Sequence, residues 1–119
     1  MVLVDTSVWV NYLHKGNSKL EYLLNEVEVV THPFIVGELS CGGIKNRKEF
    51  INLMRSLSSI DAVSEEEYYH FLESNKLWGK GVGFVDVHLL AAAKVSRVKL
   101  WTEDKNLVAI AKNMKLLYS

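Results

Sequence analysis

Val2-Leu3-Val4-Asp5-Thr6-Ser7 is an apolar run that ends on a carboxylate followed by two hydroxyls. It reads as a short buried strand, with Thr6–His14 as the helix after it. The handover from strand to helix therefore falls on Asp5. Three more carboxylates stand at comparable places: Glu38 in Pro33-Phe34-Ile35-Val36-Gly37-Glu38-Leu39, Asp86 in Gly83-Phe84-Val85-Asp86-Val87-His88, and Asp104 in Leu100-Trp101-Thr102-Glu103-Asp104. In an open α/β sheet such junctions gather at the carboxyl edge of the strands, where ligands bind. Carboxylates brought together repel, by roughly 4 kcal/mol for two charges about 4 Å apart at an effective dielectric near 20. A chain that collects four of them in one pocket is expected to hold a divalent cation there.

The same alternation continues outward from this first junction. Leu20, Leu23 and Leu24 mark a second helix by their i, i+3, i+4 spacing, and Val27–Thr31 reads as strand two. Pro33, the single proline, fits the first position of a helix that stops around Gly42-Gly43. Arg47–Leu57 is amphipathic through Phe50, Ile51, Met54 and Leu57, and Ile60–Val63 reads as a short strand. Ser64-Glu65-Glu66-Glu67 has the form of a capping box opening a helix to about Trp78. A glycine loop, Gly79–Gly83, leads into an Ala/Leu-rich helix over Phe84–Ser96. Val98–Thr102 reads as a strand, Glu103–Met114 as a helix and Leu116–Tyr118 as a last short strand. Strands alternating with helices predict an α/β fold with a mainly parallel central sheet flanked by helices. No linker or repeat divides the chain, so residues 1–119 are expected to form a single domain.

With 49% hydrophobic and 24% charged residues the composition is that of an ordinary globular chain. The apolar run near Val87–Ala93 is too short to span a membrane, and no basic leader precedes Val2, so the expected compartment is the cytoplasm. Cys41 is the only cysteine, which excludes an internal disulfide and fits a reducing environment; it is expected to be a small buried residue. Fourteen basic residues balance fourteen acidic ones. If four acids are committed to a cation, the remaining surface is 14 basic against 10 acidic, a net +4, with Lys45-Asn46-Arg47-Lys48, Lys76 and Lys80 as candidate phosphate contacts.

Each acid also has a plainer reading. Asp5 stands where a helix N-cap stands, Thr102 could cap a helix with Asp104 among the acids of its first turn, and Glu38 could face solvent. Asp86 is the strongest position: it lies in the first turn of an almost wholly apolar helix, where a charge needs a partner. Ser7 could support a water or a phosphate. His88 lies two residues from Asp86, about 160° around a helix of 3.6 residues per turn, and is expected to face away from the acids into packing. The other histidines have no spacing that suggests zinc.

Taken together, Val-Asp-Thr-Ser-Val-Trp at 4–9, Gly-Glu-Leu at 37–39, Val-Asp-Val-His-Leu-Leu-Ala-Ala at 85–92 and Leu-Trp-Thr-Glu-Asp at 100–104 resemble the PIN-domain family, specifically VapC-type toxin ribonucleases of toxin–antitoxin pairs. The resemblance spans the chain and keeps the order and spacing of all four acids. It departs at His88, where the general pattern has a small or apolar residue. It implies a three-layer PIN-like fold and an Mg2+- or Mn2+-dependent endoribonuclease. Asp5, Glu38, Asp86 and Asp104 would hold the metal directly or through water, with Thr6, Ser7 and Thr102 in support and Glu103 the alternative acid beside Asp104. Hydrolysis would leave a 3′-hydroxyl and a 5′-phosphate. A homodimer neutralised by a cognate antitoxin protein is implied as well.

Two other classes fit less well. A haloacid-dehalogenase-type phosphatase needs a second Asp where Ser7 stands, and a receiver domain carries its phosphoacceptor well beyond position 5. A catalytically silent PIN-like binding module acting through its partner protein is the remaining alternative.

Overall fold

In the computed structural model, which describes all 119 residues, β1 (Val2–Val4) lies at the centre of a four-stranded sheet. It is buried throughout and pairs on one side with β2 (Val29–Thr31) and on the other with β4 (Lys99–Trp101). β3 (Ser58–Ser59) pairs with β2 at the far edge, and every pairing is parallel. Parallel neighbours need crossover connections, and the helices supply them: α1 (Thr6–Lys15), α2 (Ser18–Asn25), α3 (Pro33–Ser40), α4 (Arg47–Ser56), α5 (Glu65–Ser74), α6 (Phe84–Ser96) and α7 (Lys105–Asn113). The chain runs β1, β2, β3 outward in one direction, then returns to lay β4 on the opposite side of β1. The strand order therefore reverses between β1 and β4, and in open α/β sheets such a reversal, at the carboxyl ends of the strands, is where ligands bind.

Local sequence explains most of the element boundaries. Ser64 and Glu67 form the capping box of α5 reciprocally: the Glu67 N–H donates to Ser64 Oγ (3.1 Å) and the Ser64 N–H to Glu67 Oε1 (2.8 Å). Pro33 occupies the first turn of α3. Arg47 ends that helix, its guanidinium donating twice to the Ser40 carbonyl at 2.9 and 2.7 Å. This side chain is thereby committed to structure and drops out of the basic cluster suggested for phosphate. α6 buries seven consecutive residues, Val87–Ala93, in keeping with its apolar composition. The core gathers 24 buried residues around Trp9, which meets Tyr12 and Phe50 edge-on.

Four expectations need correction. Val27 does not begin strand two: it is exposed, with φ 56°, in the turn that redirects the chain before Val29. The third strand is Ser58–Ser59, not Ile60–Val63, because the edge register places these serines opposite Val30 and Thr31. α5 stops at Ser74, not near Trp78, since Lys76 adopts a left-handed φ of 51° and the Leu77 N–H returns to the Leu72 carbonyl. Cys41 is exposed, because it caps the end of α3 at the surface. The final segment makes one bridge, Leu100 to Leu117, parallel to β4.

Candidate metal centre

Asp5 ends β1 at the switch point and is only 6% exposed. Its backbone carbonyl starts α1 by accepting from the Val8 and Trp9 amides, but its side chain caps nothing. Instead Asp5 Oδ2 accepts from Ser7 Oγ and from Thr102 Oγ1, each at 2.8 Å. Both hydroxyls converge on one oxygen, which fixes the carboxylate plane and leaves Oδ1 without a donor. The Thr102 contact spans 97 positions of sequence and exists because β4 lies against β1. Ser7 Oγ also accepts the Glu103 N–H (3.0 Å), and Thr102 Oγ1 accepts the Asp104 N–H (3.1 Å). The two hydroxyls thus tie the start of α1 to the loop that carries Asp104.

Asp104 is the N-cap of α7, its Oδ1 accepting the Leu107 N–H at 3.0 Å, so α7 begins at Lys105 and not at Glu103. The cap expected at Thr102 thus falls on Asp104 itself, and capping occupies one of its two oxygens. Glu103 turns aside to accept from Asn11 Nδ2 (2.7 Å) at the surface. Glu38, a turn and a half into α3, accepts from Thr6 Oγ1 at 2.9 Å. Asp86, in the first turn of α6, accepts the Gly83 N–H on Oδ2 at 3.1 Å. Asn106 Nδ2 holds the preceding loop by donating to the Gly81 carbonyl (3.3 Å). Gly81 has φ +78° and lies so close to Asn106 that a Cβ there would collide with the amide.

Electrostatics unite the four acids. Burial raises the Asp86 carboxyl above its ordinary value; the Gly83 N–H opposes the rise, and the charges of Asp5, Asp104 and Glu38 add to it. Nothing cationic offsets them, since the single ion pair of the chain joins the N-terminal ammonium to Glu28. An all-oxygen donor set with uncompensated charge suits a hard divalent ion such as Mg2+ or Mn2+. No three carboxylates or imidazoles approach closely enough to enclose an ion together.

His88 points away from the acids as the helical period requires. It is 5% exposed and stacks on Tyr68 (ring centroids 4.4 Å, 21° between planes), with Phe34 and Phe84 edge-on at 4.8 and 4.6 Å. One feature of this face escaped the sequence reading. His32 is completely buried and its Nδ1 accepts the Phe34 N–H at 3.0 Å, making it the N-cap of α3. The signal available was its place immediately before a helix-opening proline, but histidine is not among the favoured caps. Burial, then the neighbouring His88, pushes the His32 imidazole down to about 4.

The PIN domain family matches residues 2–113 of the chain. Ribonuclease VapC32 from two strains of Mycobacterium tuberculosis is 39% identical over 110 residues, covering 92% of this chain and 89% of the relative. Among solved structures, PAE2754 from Pyrobaculum aerophilum aligns with a TM-score of 0.64 at 16% identity, over 92% of this chain and 78% of that one. FitAB bound to an IR36 DNA fragment aligns with a TM-score of 0.67 at 19% identity, over 94% of this chain and 91% of that one. These two likenesses are of fold.

Proposed function

The chain belongs to the PIN-domain family, on its VapC-type branch, and from that premise we propose that it is a metal-dependent endoribonuclease, the toxin of a toxin–antitoxin pair. The observation that carries the reading is the charge frustration of the site: a half-buried Asp86 whose charged form is opposed by burial and by three other carboxylates, with no basic side chain to answer it. Evolution of such a cluster for stability alone would be costly.

Asp5, Asp86, Glu38 and Asp104 are the groups that would hold Mg2+ or Mn2+, directly or through water. Such an ion supplies charge to offset the scissile phosphate and lowers the pKa of an attacking water. Ser7 and Thr102 keep Asp5 in one orientation and leave its other oxygen free for the ion. Thr6 does the same for Glu38, and the Gly83 N–H for Asp86. Lys80, on the glycine loop held by Asn106, would meet an RNA phosphate. In-line hydrolysis by water leaves a 3′-hydroxyl and a 5′-phosphate. A homodimer and a small antitoxin that blocks the site belong to the same reading. No helix is long and apolar enough to cross a membrane.

Incubation of the purified chain with RNA and Mn2+, with and without EDTA, tests the proposal. Cleavage that requires the ion and maps to 5′-phosphate ends is the expected result. RNA left intact under all ion conditions, by a folded chain free of antitoxin, would instead mark a silent PIN-like binding module.

A further inference from the structure

Every backbone donor at the start of α3 depends on one residue. Pro33 has no N–H, the Ile35 and Val36 amides donate to the His32 carbonyl at 3.0 and 3.2 Å, and the Phe34 amide donates to His32 Nδ1 at 3.0 Å. An acceptor at Nδ1 means that the neutral ring carries its proton on Nε2. That nitrogen is buried without a partner, in a ring that lies edge-on to Phe34 (5.1 Å), whose other edge contact is His88. The ring is therefore fixed in tautomer and wedged under the first turn of α3, close to α6. Six residues on, the same helix carries Glu38, whose only side-chain partner is Thr6.

We propose that His32 is a positioning residue for Glu38: its neutral ring caps the helix that carries this carboxylate and so holds it against Thr6 and toward Asp86. The inference deepens the nuclease reading and rests on it for its catalytic consequence. The physical reasoning is that an eight-residue helix has few internal hydrogen bonds to resist fraying. Loss of its cap frays the first turn, and in so short a helix the fraying reaches the next turn, which carries the carboxylate. A serine or asparagine would cap as well, but only a large ring also fills the space against Phe34.

The test compares substitutions that keep or remove an acceptor. His32→Asn retains one, and His32→Leu fills the site without one. Should the leucine variant fail to fold, His32→Ser and His32→Ala differ by a single hydroxyl and make the same comparison. Three readouts are taken: Mn2+-dependent RNA cleavage, hydrogen exchange of the Phe34 amide, and the nuclear Overhauser contact between the Glu38 side chain and the Thr6 methyl. With the acceptor kept, kcat is expected within about threefold of wild type; without it, kcat falls about tenfold at unchanged KM, about 1.4 kcal/mol in the barrier. The Phe34 amide then exchanges faster and the Glu38–Thr6 contact is lost, while amides of α6 keep their protection. Equal cleavage by the paired variants, or an unchanged Glu38–Thr6 contact without the acceptor, would overturn the proposal. If wild type itself cleaves nothing with Mn2+, the nuclease reading fails alone, and the exchange and Overhauser measurements still decide whether His32 positions Glu38.

Discussion

Asp86 and His88 are two residues apart on α6, yet they face opposite kinds of surroundings. On one side Asp86 feels the charges of three more carboxylates; on the other His88 stacks on Tyr68 with Phe84 and Phe34 edge-on, near a buried His32. Burial acts on both faces in the same chemical direction, toward the neutral form. It raises the Asp86 carboxyl and lowers the His88 and His32 imidazoles. The outcomes differ because of neighbours. Imidazoles among aromatic rings simply remain neutral and pack. Carboxylates among carboxylates are left in tension, which the proposed cation would relieve. The helix thus divides the molecule into a face that is finished as it stands and a face that calls for a ligand.

The sharpest way to break this contrast is to remove charge from the acid face. Asp5→Asn and Asp86→Asn should each lower RNA cleavage by roughly a thousandfold or more, about 4 kcal/mol in the barrier, with the far-ultraviolet dichroism of the wild type. Each amide keeps the shape of the side chain and loses the charge. Near wild-type cleavage by either variant would remove that residue from the site.

Acid should load the aromatic face and relieve the other. The unfolded chain protonates His32 near 6.5 and the folded one only near 4, so the unfolded state binds the proton first as pH falls. This contribution to stability is intact above about pH 6.5 and declines between about pH 6.5 and pH 4, by on the order of 3 kcal/mol from this group. Asp86 works in the opposite sense, since its raised folded value means that its protonation favours the fold. Urea unfolding across this range in wild type and His32→Asn separates the two, and the variant should have the flatter acid limb. Parallel pH profiles in the two proteins would mean that His32 is not held neutral by the fold.

Metal should sharpen the contrast by about as much. Mn2+ at a hundredfold excess over its Kd stabilises a folded state that alone binds it by about 2.7 kcal/mol. Melting temperature should therefore rise with Mn2+ in the wild type. Metal-free Asp86→Asn, relieved of repulsion, should melt at or above metal-free wild type and respond little to the ion. Equal Mn2+ responses in both would place the ion elsewhere.

The smallest effect on chemistry is expected from the aromatic face. His88→Ala should keep cleavage within about tenfold, under roughly 1.4 kcal/mol in the barrier. It should cost about 1 to 2 kcal/mol of stability through the lost stacking on Tyr68. A loss of several orders of magnitude in a folded protein would undo the separation of the two faces.

The opposed directions of Asp86 and His88 were legible in the sequence because the helical period is a local property of the chain. So were the capping box at Ser64, the start of α3 at Pro33 and the span of α6, each set by residues within one turn of one another. Val27, Ile60–Val63 and the end of α5 were not. Strand limits depend on which neighbour supplies the ladder, and helix ends on single left-handed residues such as Lys76. For the site, the four acids could be named from their junctions. Their partners could not be assigned, since Ser7 and Thr102 are generic hydroxyls until β4 is laid beside β1.

The sequence by itself therefore determined the α/β alternation, the strand–helix junctions and the acids that stand at them, because these follow from periodicity and from chemistry written in the side chains. Only the tertiary structure decided the strand order β3-β2-β1-β4, the two hydroxyls on Asp5, the capping role of Asp104 and the buried His32. Those depend on contacts between distant segments and on the desolvation they produce. Both arise from which elements pack together, not from any element's own composition.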